Sequence, residues 1–192
     1  MVNRKEQIVN RATYCIKKHG YDSFSYKDLS DMVGITKATL HHHFPKKEDL
    51  GIAVCERIKI KFEDLTNQID QLQEAKEKFI FLMENLPNEL GEGDICPISS
   101  LQSEYNIIPA SMQALVTQLC NIEYSLLLDI LEAGIADGSF KFSGSPESMA
   151  MVIITAYKGA LQYSRAMNND VIGTVVEQIF KLVLSNEEIS LK

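Results

Sequence analysis

The chain has 192 residues, 45% of them hydrophobic and 23% charged, with four cysteines and a formal net charge of −7. That length allows one long domain or two short ones. No apolar run nears the roughly 20 residues needed to cross a bilayer, the polar, basic start lacks the apolar stretch of a signal peptide, and Cys15, Cys55, Cys96 and Cys120 have neither CxxC nor CxxH spacing. A reduced, cytoplasmic protein with no membrane partner is expected.

The first helix is predicted between Arg4 and His19, where Ile8, Ala12, Cys15 and Ile16 recur at helical spacing before Gly20 stops it. Tyr21 and Phe24 flank a turn at Asp22-Ser23. Ser25 then serves as an N-cap, with Asp28 placing negative charge in the first turn. Leu29, Met32 and Val33 form an apolar stripe, and Gly34 ends this second helix as glycine does where φ must be positive. Ile35 would pin the turn to the core. Thr36 caps a third helix, Lys37 to Phe44, closed by Pro45. Leu40 and Phe44 would face inward. Two short helices around a Gly-containing turn are the layout that places its second helix in the DNA major groove. The candidate DNA-contacting side chains are Ser25, Lys27, Thr36, Lys37, Thr39, His41, His42 and Lys47.

Charge distribution supports this reading. Through residue 50 there are nine Lys/Arg against six Asp/Glu, whereas the remainder holds ten against twenty, and all four histidines lie in the first 50 residues. Phosphate contacts need local, not total, positive charge. The run His41-His42-His43 is not expected to hold a metal, because consecutive helical residues point about 100° apart and cannot close one tetrahedral site.

Phe24-Ser25, Leu29 to Ile35, Thr36 to Leu40 and His43 to Leu50 recur at fixed offsets over about 27 positions, and on them the chain resembles the TetR family of transcriptional repressors. The resemblance implies an all-α homodimer, a C-terminal pocket for a small-molecule effector, and release of DNA when that effector binds. The family usually has Tyr where this chain has His41, a position that commonly contacts a phosphate; His can donate there with pH-dependent charge.

Beyond residue 45 the pattern is helical nearly throughout. Helices are expected over Lys46–Gln68, with Leu50, Val54, Ile58, Phe62, Leu65 and Ile69 on one face, over Gln73–Leu86, over Ile98–Asn106, and from Pro109 as first helical residue to Ala136. Pro87 to Pro97, with Gly91 and Gly93, is the least regular stretch. Gly138-Ser139 breaks the long helix and Phe140-Lys141-Phe142 is a short extended link. Ser145-Pro146 opens a helix to Met167, and Asp170 caps a last one, Val171–Leu184. The fold expected is all-α with about nine helices: a three-helix DNA-binding domain over 1–45 and a helical ligand-binding and dimerisation domain over 46–192.

The last two helices are the candidates for dimerisation, the first through Ala150, Ala156, Gly159 and Ala160 among large apolar residues, the second through Val175, Ile179, Leu182 and Val183. Met83, Cys96, Tyr105, Met112, Tyr124 and Tyr157, with Tyr163, are candidates for an apolar effector pocket, although such residues at helical spacing also make plain core. Cys96 precedes a helix start, which favours a reactive thiolate, while Glu92 and Asp94 oppose it; sensing of oxidants or electrophiles is one alternative and a DNA-binding adaptor without an effector is another. No nucleophile–base arrangement is readable, so no enzyme and no cofactor are expected.

Overall fold

The computed structural model describes residues 3–88, 94–167 and 169–184. Among these are nine helices and no strand: α1 (Arg4–His19), α2 (Tyr26–Val33), α3 (Lys37–His43), α4 (Lys47–Ile69), α5 (Ala75–Asn88), α6 (Pro97–Ser103), α7 (Ala110–Ala136), α8 (Pro146–Met167) and α9 (Val171–Val183). Gly91, Glu92 and Gly93, in the stretch read as irregular, lie outside the described residues. The chain forms two compact units, one from residues 1–61 and 95–120, the other from 62–94 and 121–192.

In the first unit, local chemistry sets the helix ends. Asn3 caps α1 through the Glu6 amide. Ser25 and Asp28 form a reciprocal capping box on α2. Gly34 ends α2 in the left-handed region at φ 72°, and the Gly34 and Ile35 amides close onto the Asp31 and Ser30 carbonyls. Ile8, Ala12, Leu29 and Leu40 are fully buried, with Phe44 and Tyr26 beside them; the Tyr26 hydroxyl donates to the Phe44 carbonyl at 2.8 Å. The stripe on α2 is narrower than its spacing suggests. Met32 is 41% exposed, with its sulfur 3.7 Å from the Cys15 thiol, so the side chain is only partly covered.

The core of this unit continues into later sequence. Leu50, Val54 and Ile58 of α4, Ile98 and Leu101 of α6, and Met112, Val116 and Leu119 of α7 are buried. Gly51 permits close packing there, since a Cβ would meet the Met112 sulfur at 2.4 Å and the Tyr21 ring at 2.9 Å. Several predicted boundaries shift by one to three residues. Pro109 stands one residue before α7, its carbonyl accepting from Met112 and Gln113. Helix α6 stops at Ser103, not Asn106, and Glu104 leaves the helix to bond elsewhere.

In the second unit, Phe79 is fully buried and packs edge-on against Phe140 (5.4 Å) and Phe180 (5.8 Å). Gly134 makes room for Phe140, whose ring would lie 2.0 Å from a Cβ. The link at 140–142 does more than extend: Phe140 pairs with Leu184, and the Lys141 amide donates to the Val183 carbonyl at 3.0 Å. On α9 the buried face is Ile179, Phe180 and Val183, while Leu182 turns outward at 44% exposure. Among the described helices α7 alone is long and apolar enough to match a membrane span; it buries residues along its length, from Met112 to Leu131.

The same unit holds a buried ion pair. Lys158 of α8 lies 2.5 Å from Glu123, with both side chains close to nine-tenths buried. Burial pushes the Glu123 carboxyl above its ordinary pKa, and Lys158 pulls it back. Lys158→Met therefore leaves a buried carboxylate without its cation and should cost about 3 kcal/mol of unfolding free energy. Because the folded state favours protonated Glu123, this loss should be small in acid, where the carboxyl is protonated folded and unfolded alike, and should grow as pH rises. Urea unfolding at several pH values checks it; a pH-independent loss would contradict the assignment.

Candidate nucleic-acid interface

The end of α2, Gly34 and the start of α3 form one tight corner. Thr36 caps α3 by accepting from the Thr39 amide at 3.1 Å, and its hydroxyl also meets Thr39 Oγ1 at 2.9 Å. Leu40 is held in the core, so Lys37, His41 and His42 stand exposed and Thr39 half-exposed. Ser25, Lys27 and Thr36 are exposed too, and Lys47 is half-buried. All eight sequence-predicted contact residues thus lie in one unit, on α2, α3, the start of α4 and the caps between them.

Their hydrogen-bond states differ in what they leave for a phosphate. Both donors of Ser25 are committed, its amide and its hydroxyl each donating to the Asp28 carboxylate at 2.8 and 2.7 Å. These bonds hold the Asp28 carboxyl below its ordinary pKa. Ser25 accordingly orders the start of α2 and has no hydrogen left to offer. Lys27 pairs with Asp31 at 3.3 Å in an exposed i,i+4 bridge, a contact of little net value that a phosphate can displace.

Lys47 is the most constrained cation of the set. Its ammonium sits 4.8 Å from the Tyr21 ring centroid and 4.6 Å from that of Phe24, and those rings meet edge-on at 6.5 Å. Burial lowers its pKa, with Asp22 and Glu104 opposing. The aromatic faces hold the charge at the edge of a surface hollow of about 440 Å³ lined by Asp22, Phe24, Ser25, Tyr26, His41 and Lys47. The His41 ring lies against that of Tyr26 at a tilt of 57°, centroids 4.8 Å apart, and its Nδ1 lies 3.2 Å from the Pro45 carbonyl oxygen. A carbonyl only accepts, so Nδ1 carries the hydrogen of that bond and Nε2 is the ring nitrogen left to face a partner.

Asp22, Phe24 and Tyr26 did not stand out as site residues in the sequence. Tyr26 lies within the apolar face of α2, and nothing local signals that His41 and Lys47 will converge on it. A second hollow, of about 420 Å³, is lined by Arg4, Gln7, Asn10, Arg11, Tyr14, Met32 and Val33. The basic residues of α1 gave no pattern by which to find it.

The six effector candidates divide between the units. Met83, Tyr124 and Tyr157 lie in the second, with Met83 and Tyr157 buried. Cys96, Tyr105 and Met112 lie in the first. Cys96 is the N-cap residue of α6 and half-buried, Tyr105 is 37% exposed with its hydroxyl 3.1 Å from Thr117 Oγ1, and Met112 is fully buried next to Gly51.

A sequence profile of bacterial regulatory proteins of the tetR family matches residues 8–54. Over 185 residues, 94% of this chain and 89% of the relative, the sequence is 23% identical to the HTH-type transcriptional repressor KstR2 of Rhodococcus jostii. The structure is similar to the TetR transcriptional regulator of Legionella pneumophila, with TM-score 0.86 and 27% identity over 95% of this chain and 98% of the other. A TetR-family transcriptional regulator of Agrobacterium tumefaciens gives TM-score 0.86 and 25% identity at the same coverage.

The placement of His41 has a measurable consequence. His41→Phe, which keeps a ring against Tyr26 but removes both ring nitrogens, should weaken binding to duplex DNA. Fluorescence anisotropy at fixed ionic strength and pH reads the loss; an unchanged affinity would mean His41 faces no phosphate.

Proposed function

The chain belongs to the tetR family of bacterial regulatory proteins, and from that premise we propose a specific working cycle for this DNA-binding transcriptional regulator. A homodimer represses by binding a palindromic operator, and a small, largely apolar effector releases it. Residues 1–45 read DNA, and 46–192 bind the effector and dimerise. The observation that carries the reading is the exposed row Lys37, Thr39, His41 and His42 on α3, set against α2 by a left-handed Gly34 with Lys47 and His41 at one hollow. Major-groove readers combine such a helix with cations on the flanking phosphates.

Dimerisation is supported by α8. Its Ala150, Ile153, Tyr157, Ala160 and Leu161 face its own unit and are buried. A second stripe runs along α8, with Val152 50%, Tyr163 63% and Met167 60% exposed and Ala156 and Gly159 half-buried between them. Exposed apolar side chains in one stripe suit an interface, and a two-fold partner supplies the second reading head that a palindrome requires. The effector would lodge among the helices of the second unit, near Met83, Tyr124 and Tyr157, and would shift the population of dimers whose heads fit the two half-sites.

The deciding experiment is binding of the full-length protein to its own upstream intergenic DNA and to an unrelated duplex across a salt series. Selective binding at one dimer per palindrome is expected. Lys47→Ala should weaken binding to every sequence and lower the salt slope by about one, while Thr39→Ala should change discrimination between operator variants. Equal affinity for both duplexes would overturn the reading of α3. Separately, Val152→Glu should turn a dimer into a monomer by light scattering and weaken operator binding; a monomeric wild-type protein would remove the proposed interface.

A further inference from the structure

Helix α6 is tied to the end of α1 by polar bonds that no helical pattern announces. The Ile95 amide donates to the Lys17 carbonyl at 3.4 Å, and the buried Ser100 hydroxyl donates to the Ile16 carbonyl at 2.8 Å. At the other end of α6, Glu104 reaches the turn between α1 and α2. One carboxylate oxygen accepts from the Tyr21 amide at 2.6 Å and the other from the Asp22 amide at 3.0 Å. A carboxylate holding two successive backbone amides is a charge-assisted clasp, stronger than neutral hydrogen bonds. Gly20 is shaped to receive it: φ is 96°, and a Cβ there would stand 2.9 Å from Glu104 Oε1.

What the clasp holds is the frame of the DNA-contact hollow. Tyr21, whose amide is bound, supplies one of the two rings under the Lys47 ammonium, and Phe24, three residues on, supplies the other. Asp22, also bound through its amide, lines the hollow directly with Ser25, Tyr26, His41 and Lys47. The hollow thus depends on where the turn at 20–24 sits, and that turn is held by an acidic side chain more than 80 residues away in sequence.

We propose that Glu104 is a positioning residue for DNA binding: its carboxylate, clasping the Tyr21 and Asp22 amides, sets the aromatic cradle that presents Lys47 to the phosphate backbone. This rests on the reading of residues 25–47 as the DNA-contacting surface. It also makes a prediction of opposite sign to simple electrostatics. Neutralising an acid near a phosphate-binding surface strengthens DNA binding by charge alone; loss of the clasp weakens it.

The test uses full-length Glu104→Gln and Glu104→Ala proteins, each shown by circular dichroism to be folded at the assay temperature. Amide hydrogen exchange at Tyr21 and Asp22 reads the clasp, and operator anisotropy across a salt series reads its effect. Expected are faster exchange at both amides and about tenfold weaker operator binding in Glu104→Ala, a typical coupling magnitude, with an intermediate loss in Glu104→Gln, which keeps one acceptor oxygen. The salt slope should fall toward that of Lys47→Ala, because the contact weakened is the one between Lys47 and a phosphate. Unchanged or tightened DNA binding in both variants, with a wild-type protein that binds selectively, overturns the positioning role. A wild-type protein that selects no duplex overturns the reading of residues 25–47 instead, and exchange at Tyr21 and Asp22 still decides whether the clasp exists in solution.

Discussion

Three helices as short as α1, α2 and α3 expose too much surface for the volume they enclose to hold a core by themselves. Everything at the proposed DNA-contact surface depends on how that deficit is met. The buried faces of α1 and α2 are completed by residues from α4, α6 and the first turns of α7, and the compact unit so formed takes in 95–120 as well as 1–61. The reading head is therefore a composite of two stretches of chain, its α3 short and polar because its neighbours supply the apolar partners.

Within that unit the polar groups divide the work. Caps at Ser25, Gly34 and Thr36 use up local donors and acceptors to set the angle at which α3 leaves α2. Lys47 keeps its donors for a partner, its ammonium held by two aromatic faces, while His41 lies tilted against Tyr26 with Nδ1 on the Pro45 carbonyl and only Nε2 left over. A flexible lysine loses less on binding when its ammonium is already placed, which is the physical value of a cradle on which a cation rests. An overall charge of −7 does not oppose this, because screening confines the acidic remainder of the chain to short range.

The second unit is built on a different economy, with an aromatic cluster around Phe79, an extended link bridged to the end of α9, and one buried ion pair between α7 and α8. A pair such as Glu123–Lys158 contributes little net stability compared with apolar residues of the same volume, but it penalises any packing in which the two helices slide past each other. The outer stripe of α8 is apolar, whereas Glu56, Lys61, Glu63 and Asp64 of α4 are exposed and charged.

The elements along the chain were legible in the residues themselves. Caps at Ser25, Thr36, Ser145 and Asp170, stops at Gly20 and Gly34, and 3.6-residue spacing place all nine helices to within a few residues, since these signals act over one or two turns and need no distant partner. The basic, hydroxyl-rich α3 was legible for the same reason. What the tertiary structure alone decided are the meetings between distant stretches: Glu104 on the Tyr21 and Asp22 amides, Ser100 on Ile16, Met112 against Gly51, Glu123 with Lys158, and Phe140 with Leu184. It also decided that Leu182, apolar and in register with buried neighbours, faces outward and that Met32 is only partly covered. Periodicity names a face of a helix, but how wide a face is covered depends on the partner helix that packs against it, and the address of that partner is written nowhere near it in the chain.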